Sequence, residues 1–221
     1  MRNLFRLCVV LLPWFLRRHV LGALYGYEIH PTARIGWSWI FPGKLAMGEH
    51  ARIGHLNVAI HLARLELGPH ALIERGNWIT GFPAGDRRHF AHQPGRDPAL
   101  VLGAHTAVTK HHHFDCTDRI EIGAFTTVAG YGSQLLTHEI DLVANRQEAA
   151  PIAIGDHCFV STAVVILSGA RLPERSVLGA KALLNKPQTA PGWLYGGVPA
   201  RALRELPKDA KYFSRARGFV D

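Results

Sequence analysis

Aliphatic residues return at every sixth position along most of the chain. Ile29, Ile35, Phe41, Met47 and Ile53 keep that step, as do Leu67, Ile73 and Ile79, then Leu102, Val108, Phe114 and Ile120, and finally Ile154, Val160, Ile166, Leu172, Leu178 and Leu184. Glycine follows the aliphatic residue at Gly36, Gly48, Gly54, Gly68, Gly103, Gly123, Gly155 and Gly179. A step of six fits neither the helical period of about 3.6 nor the alternation of a flat strand. It fits a short strand plus a corner: one hexapeptide per face of a three-sided parallel β-helix, with the aliphatic residue inside and a small residue where the chain bends. The pattern predicts an all-β solenoid over residues 27–188.

Two polar stretches break the repeat. Residues 84–98 (AGDRRHFAHQPGRDP) carry the Gly, Pro and charge content of a loop thrown out between coils, and residues 139–150 form a second excursion that ends at Pro151. Before the repeat, Leu7 to Leu16 is an unbroken apolar run flanked by Arg6, Arg17 and Arg18. It is shorter than the roughly 20 residues a membrane span needs, and no small-residue cleavage site follows it. Residues 1–26 therefore read as an apolar helical segment lying on the domain, with peripheral contact of residues 1–20 with an anionic membrane surface as the alternative. Residues 189–221 read as a C-terminal tail, its last part a short helix or arm.

The hexapeptides Ile35-Gly36-Trp37-Ser38-Trp39-Ile40 and Val160-Ser161-Thr162-Ala163-Val164-Val165 resemble those of the hexapeptide-repeat acyltransferases. That resemblance implies a left-handed coil and a homotrimer with acetyl-coenzyme A held between subunits as co-substrate. Ser133 to Asp141 (SQLLTHEID) resembles the Thr/Ser-His motif of the polysaccharide and sugar O-acetyltransferases in this group, which makes His138 the expected general base. A sugar hydroxyl is a poor nucleophile at neutral pH, and an imidazole titrating near 6.5 can accept its proton as the thioester is attacked. Glu139 or Asp141, in the same loop, is expected to orient the ring. In His111-His112-His113 the resemblance implies a residue that positions the acceptor, with His113 the candidate. Gly179-Ala180-Lys181 through Lys186, and the Gly197-Val198-Pro199-Ala200-Arg201 tail, resemble the closing coil. Gly179, Ala180, Lys181, Lys186 and Arg201 are thereby expected at the coenzyme, the cations on its phosphates. Pro187 departs from the acidic residue more common at that point.

Charge adds less. The formal net charge of +8 suits nucleic acid, anionic lipid or a phosphorylated small molecule. Lys and Arg are spread along the chain without a basic helix or aromatic-studded basic strand, which argues against nucleic acid. Cys8, Cys116 and Cys158 form no metal spacing and read as reduced, buried apolar residues of a cytoplasmic protein. His50, His55, His70, His105 and His157 fall at polar repeat positions and read as outward and solvated. Three adjacent histidines on one strand point to alternating sides, so no metal is expected. Two rival readings remain, a zinc hydratase of the γ-carbonic-anhydrase kind and a β-helix without catalytic function.

Overall fold

The computed structural model describes residues 2–218 and 220. Met1, Phe219 and Asp221, outermost in the two expected terminal segments, lie outside the described residues. Parallel strands of two to four residues form three faces of a prism, in sheets of seven, nine and seven strands, the ninth strand of the second being an antiparallel addition from the tail. One coil shows the construction: Ile120–Ile122 lies on the first face, Thr127–Val128 on the second and Gln134–Leu136 on the third. Each strand pairs with the same face one coil below and one coil above, so Leu100, Ile120 and Ile152 stack, as do Val108, Val128 and Val160. All six are essentially inaccessible to solvent. Burying one aliphatic side chain contributes about 1.5–3 kcal/mol, so these ladders dominate the stability.

The third face corrects one hexapeptide assignment. Its inward ladder runs Ile40, Ala59, Ile79, Phe114, Leu135, Ile166 and Leu184. Phe41, in step with Met47 and Ile53, pairs instead with Ile60 and packs on Tyr25 at the end of the second N-terminal helix. It is buried by the helices and not by the prism.

Corner glycines answer to the neighbouring coil. A Cβ on Gly103 would stand 2.5 Å from the backbone nitrogen of Ala124, and one on Gly36 would stand 2.6 Å from the Gly54 carbonyl oxygen. Two residues past Gly48, Gly68, Gly103, Gly123 and Gly155 the backbone turns through positive φ, at His50, His70, His105, Phe125 and His157 on one edge. Their rings form a column with centroids 5.0, 4.7, 4.7 and 4.9 Å apart. His50 and His70 are exposed, whereas His105 and His157 are half-buried. The next edge is held from within by side chains that bond to the backbone of adjoining coils. Ser38 Oγ accepts from the Asn57 N–H at 2.9 Å, Asn57 Oδ1 from Asn77 N–H at 2.9 Å, Asn77 Oδ1 from His112 N–H at 2.9 Å, and His112 Nδ1 from Ser133 N–H at 3.1 Å.

The N-terminal segment is two helices, Arg2–Leu11 and Trp14–Tyr25, divided at Pro13. Val9 and Leu21 are buried, and the buried Arg17 guanidinium donates to the carbonyls of Val10 (2.9 Å) and Ile35. Cys116 and Cys158 are buried as expected; Cys8 is exposed, on the outer side of the first helix. The tail differs from expectation: Trp193–Gly196 adds a parallel strand to the second face, and Arg201–Glu205 folds back antiparallel on it. Among its described residues the only helical turn is the 3₁₀ turn Lys211–Ser214.

The inner polar ladder makes stability depend on pH. His112 Nδ1 must stay unprotonated to accept from Ser133, and burial holds the ring's pKa down to about 4. Between about 6.5 and 4 the unfolded chain binds a proton that the folded chain does not, so stability falls as the pH is lowered through that window and levels off below it. His112→Asn, matching Asn77 and Asn57 one and two coils away, is expected to leave stability at pH 7 nearly unchanged. It should remove about 3 kcal/mol of the acid-induced loss, read from urea unfolding at pH 7 and pH 4.

Candidate active site

Both interruptions leave the prism at the same edge, between the third face and the first. Residues 81–98 leave after Trp78–Thr80. Two coils further, the chain leaves again after Gln134–Leu136, as an antiparallel hairpin of His138–Asp141 with Arg146–Ala149. The expected loop at 139–150 is thus ordered strand. The two excursions are tied together: Gln93 donates from Nε2 to the Ala149 carbonyl at 3.2 Å and accepts at Oε1 from the Ala149 N–H at 3.0 Å.

His138 stands at the base of this clasp, at the first residue of the hairpin. Its Nδ1 is bonded to Asp115 Oδ2. Asp115 comes from the coil between the two excursions and is itself fixed, with Oδ1 accepting from Thr117 Oγ1 at 2.6 Å and from the Thr117 N–H at 3.1 Å. Phe82 sets the edge of its ring against the imidazole, centroids 5.5 Å apart and planes at 80°. Arg96 anchors the first loop, donating to the carbonyls of Thr117 (2.6 Å) and Pro83 (3.0 Å) while its guanidinium lies 3.9 Å from the Phe90 ring centroid.

The electrostatics follow from these contacts. The hydrogen bond to Asp115 and the carboxylate's charge raise the His138 pKa above the ordinary histidine value, against burial and the more distant Arg96. Burial alone would raise the Asp115 pKa; the bonds from His138 and Thr117 outweigh it and keep the acid ionised. A carboxylate on Nδ1 fixes the tautomer with hydrogen on Nδ1 and the lone pair on Nε2. Nε2 makes no hydrogen bond with any described residue, and the side chain is 32% exposed. Such a pair can draw a proton from a hydroxyl brought to Nε2.

The orienting acid is therefore neither of the two expected from the sequence. Glu139 is exposed and turned away from the ring, paired in register with Glu148. Asp141 caps the hairpin turn, accepting from the N–H groups of Val143 and Ala144 at 2.9 and 3.0 Å. His113 is half-buried and, with Phe114 inside the prism, faces outward on the same strand and side as Asp115, about 7 Å along it. His111 lies in a positive-φ turn and His112 in the inner ladder, so the three neighbours diverge. No group of three potential metal ligands forms among the described residues.

The residues expected at the coenzyme divide between edges. Gly179, Ala180 and Lys181 make the corner between the second and third faces, where the N–H groups of Gly179 and Lys181 are bonded to Tyr195 and Thr162 carbonyls. Arg201, exposed, begins the strand that folds back beside that corner. Lys186 follows Leu183–Leu184 on the His138 edge, two coils on, roughly 10 Å along the axis. The single chain does not bring Lys181 and His138 together.

No protein-family model matches the chain, and no curated protein matches it. Solved structures do. A hexapeptide-repeat-containing acetyltransferase from Vibrio cholerae O1 biovar eltor, complexed with acetyl-coenzyme A, is 19% identical over 93% of this chain and 85% of its own, with a TM-score of 0.52. The polysialic-acid-specific acetyltransferase NeuO is 13% identical over 83% and 84%, at 0.52. AntD, an N-acyltransferase from Bacillus cereus in complex with dTDP and 3-hydroxybutyryl-CoA, is 12% identical over 89% and 92%, at 0.54. These likenesses establish the fold of the chain as the left-handed parallel β-helix found in hexapeptide-repeat acetyltransferases.

Proposed function

We propose that the protein is an acetyl-coenzyme A-dependent O-acetyltransferase that acts on a sugar or glycan hydroxyl, as a homotrimer, in cytoplasmic polysaccharide modification. The observation that carries this reading is the Asp115–His138 pair at a prism edge with Nε2 outward. Nε2 takes the hydroxyl proton as the oxygen attacks the thioester carbonyl. The tetrahedral adduct collapses with loss of the C–S bond, and the departing thiolate receives the proton from the imidazolium. Direct transfer fits the cysteines: burial raises the Cys116 thiol well above its usual range and pushes Cys158 up to about 12, so neither supplies a thiolate.

The trimer supplies what one chain lacks. Lys181 and Arg201 lie away from the His138 edge, so a thioester held by them reaches His138 only if the two edges belong to adjoining protomers. Residues 1–20 enter the same proposal as a peripheral contact with an anionic membrane. No described helix is long and apolar enough to cross one, while Leu4, Leu11 and Phe15 are each about two-thirds exposed and the first acidic residue is Glu28.

His138→Ala is expected to lower kcat for thiol release from acetyl-coenzyme A by about 10²–10⁴ with the fold intact by circular dichroism; an unchanged rate removes the general base. In the wild type, kcat/KM should rise with pH through a limb above the ordinary histidine range, because only the unprotonated ring is a base. Asp115→Asn removes the raising influence, so its residual activity should show that limb at lower pH, alongside a fall in kcat of about a hundredfold or more. Subunit mixing tests the shared site: His138→Ala and Lys181→Gln, each impaired alone, should regain activity when co-expressed, and trimers that stay at the level of the parents would place both residues outside a common cleft.

A further inference from the structure

One cavity on the His138 edge takes no part in the chemistry above. It holds about 450 Å³ beneath the first helix and is walled by the first two coils and the start of the first loop. Arg2 and Arg6 enter it from the helix and His61 from the corner of the second coil, and none of its lining residues is acidic. The Arg6 guanidinium lies 4.8 Å from the Phe41 ring centroid, and its Nε is buried without a hydrogen-bond partner among the described residues. A buried, unpaired guanidinium nitrogen in a cation-lined hollow is a standing demand for an anion. Trp39, edge-on to Phe41 (5.0 Å between centroids, planes at 68°), supplies an aromatic wall of the kind on which sugar rings lie.

The cavity also has a direction. Pro83 and Ala84 line it, and the preceding residue, Phe82, touches the His138 ring. Pro42, His61, Gly81, Cys116 and Thr137, the residue before His138, follow one another up the same edge, one coil apart. The middle of the cavity is thus three coils below His138, roughly 15 Å along the axis.

We propose that this cavity binds the phosphate or diphosphate group of the acceptor, so that the hydroxyl at His138 Nε2 belongs to a sugar some way along a short oligosaccharide and not to the one bearing the phosphate. The inference rests on His138 as the base, and it narrows the acceptor class to phosphate-linked saccharides. Arg6 and Arg2 pair with the non-bridging oxygens, His61 donates a further hydrogen bond, and the saccharide runs past Pro83 and Phe82 toward the ring. The carrier is either a polyprenyl lipid, for which the exposed apolar side of the same helix is suitably placed, or a nucleotide.

Calorimetric titration with inorganic pyrophosphate, at saturating coenzyme A so that the coenzyme's own phosphate sites are filled, tests the subsite. Saturable binding is expected, with Kd raised about tenfold by Arg6→Gln, largely restored by Arg6→Lys, and unchanged by His138→Ala. Equal affinity in wild type and Arg6→Gln, or no saturable binding, overturns the proposal while leaving the catalytic assignment to its own assays. If Arg6→Gln does not fold, Arg2→Gln takes its place with the same expectation. Flotation on phosphatidylcholine vesicles with and without a polyprenyl diphosphate separates the carriers. Retention strengthened by the diphosphate lipid and lost in Arg6→Gln assigns a lipid; pyrophosphate binding without that gain assigns a nucleotide.

Discussion

Coil stacking at the spacing of paired strands, roughly 4.8 Å, is the constraint from which the rest follows. It leaves no space for a Cβ where Gly103 passes Ala124 or Gly36 passes Gly54, and it requires the inward residue of each face to match those above and below. A chain bound in this way can add residues only where it is already turning outward. Both insertions obey that rule, and both use one edge. Three consecutive coils then build the site together: the lowest sends out the loop carrying Phe82 and Arg96, the middle one supplies Asp115, and the upper one supplies His138 and the hairpin.

The same stacking gives two histidines opposite properties. His112 and His138 lie in successive coils, yet one is held neutral and the other is made more basic. For His112 the cause is burial among backbone groups: Ser133 donates to Nδ1, Thr109 Oγ1 lies 3.0 Å from Nε2, and no carboxylate of the described residues bonds to it. For His138 it is a carboxylate that the fold keeps ionised at its own expense, through two bonds from Thr117. A half-exposed ring with an ionised partner on one nitrogen and nothing on the other is equipped for proton transfer; a ring with both nitrogens engaged is a structural strut.

Much of this was legible in the sequence, for identifiable reasons. The step of six survives because each inward position repeats the same demand, and His138 stood out because it ends a repeat where a loop begins. Phe41 misled because its spacing is right while its side chain is claimed by helices that no period announces. Asp115 has no such signal by sequence distance, since the acids nearest His138 along the chain are Glu139 and Asp141. In a solenoid the near neighbours are one coil away: Phe114 stacks under Leu135, which brings Asp115 under the start of the hairpin. Reading acids one coil below a candidate base would have found it. The clasp of Gln93 on Ala149 and the anchoring of Arg96 had no such signal, since the first loop has no period and its contacts depend on a conformation that the coils do not dictate.

The N-terminal helices divide their side chains between two demands. One side is needed by the prism: Val9, Leu21 and the buried Arg17, with its bonds to Val10 and Ile35, cover the first coil, whose outer surface includes Phe41. Capping of that kind explains why a solenoid begins with helices at all. It does not explain the other side, where Leu4, Leu7, Leu11, Phe15 and Leu16 are all exposed and no acidic residue intervenes. A cap need only be polar outward, and this one is apolar outward with arginines at its margin. The cationic hollow beneath it opens on the edge that carries His138, so the hollow lies on the acceptor route proposed above, while the expected thioester groups Lys181 and Arg201 lie away from that edge. In the proposed reaction, acceptor and acyl donor then approach the imidazole from different sides, as direct transfer requires.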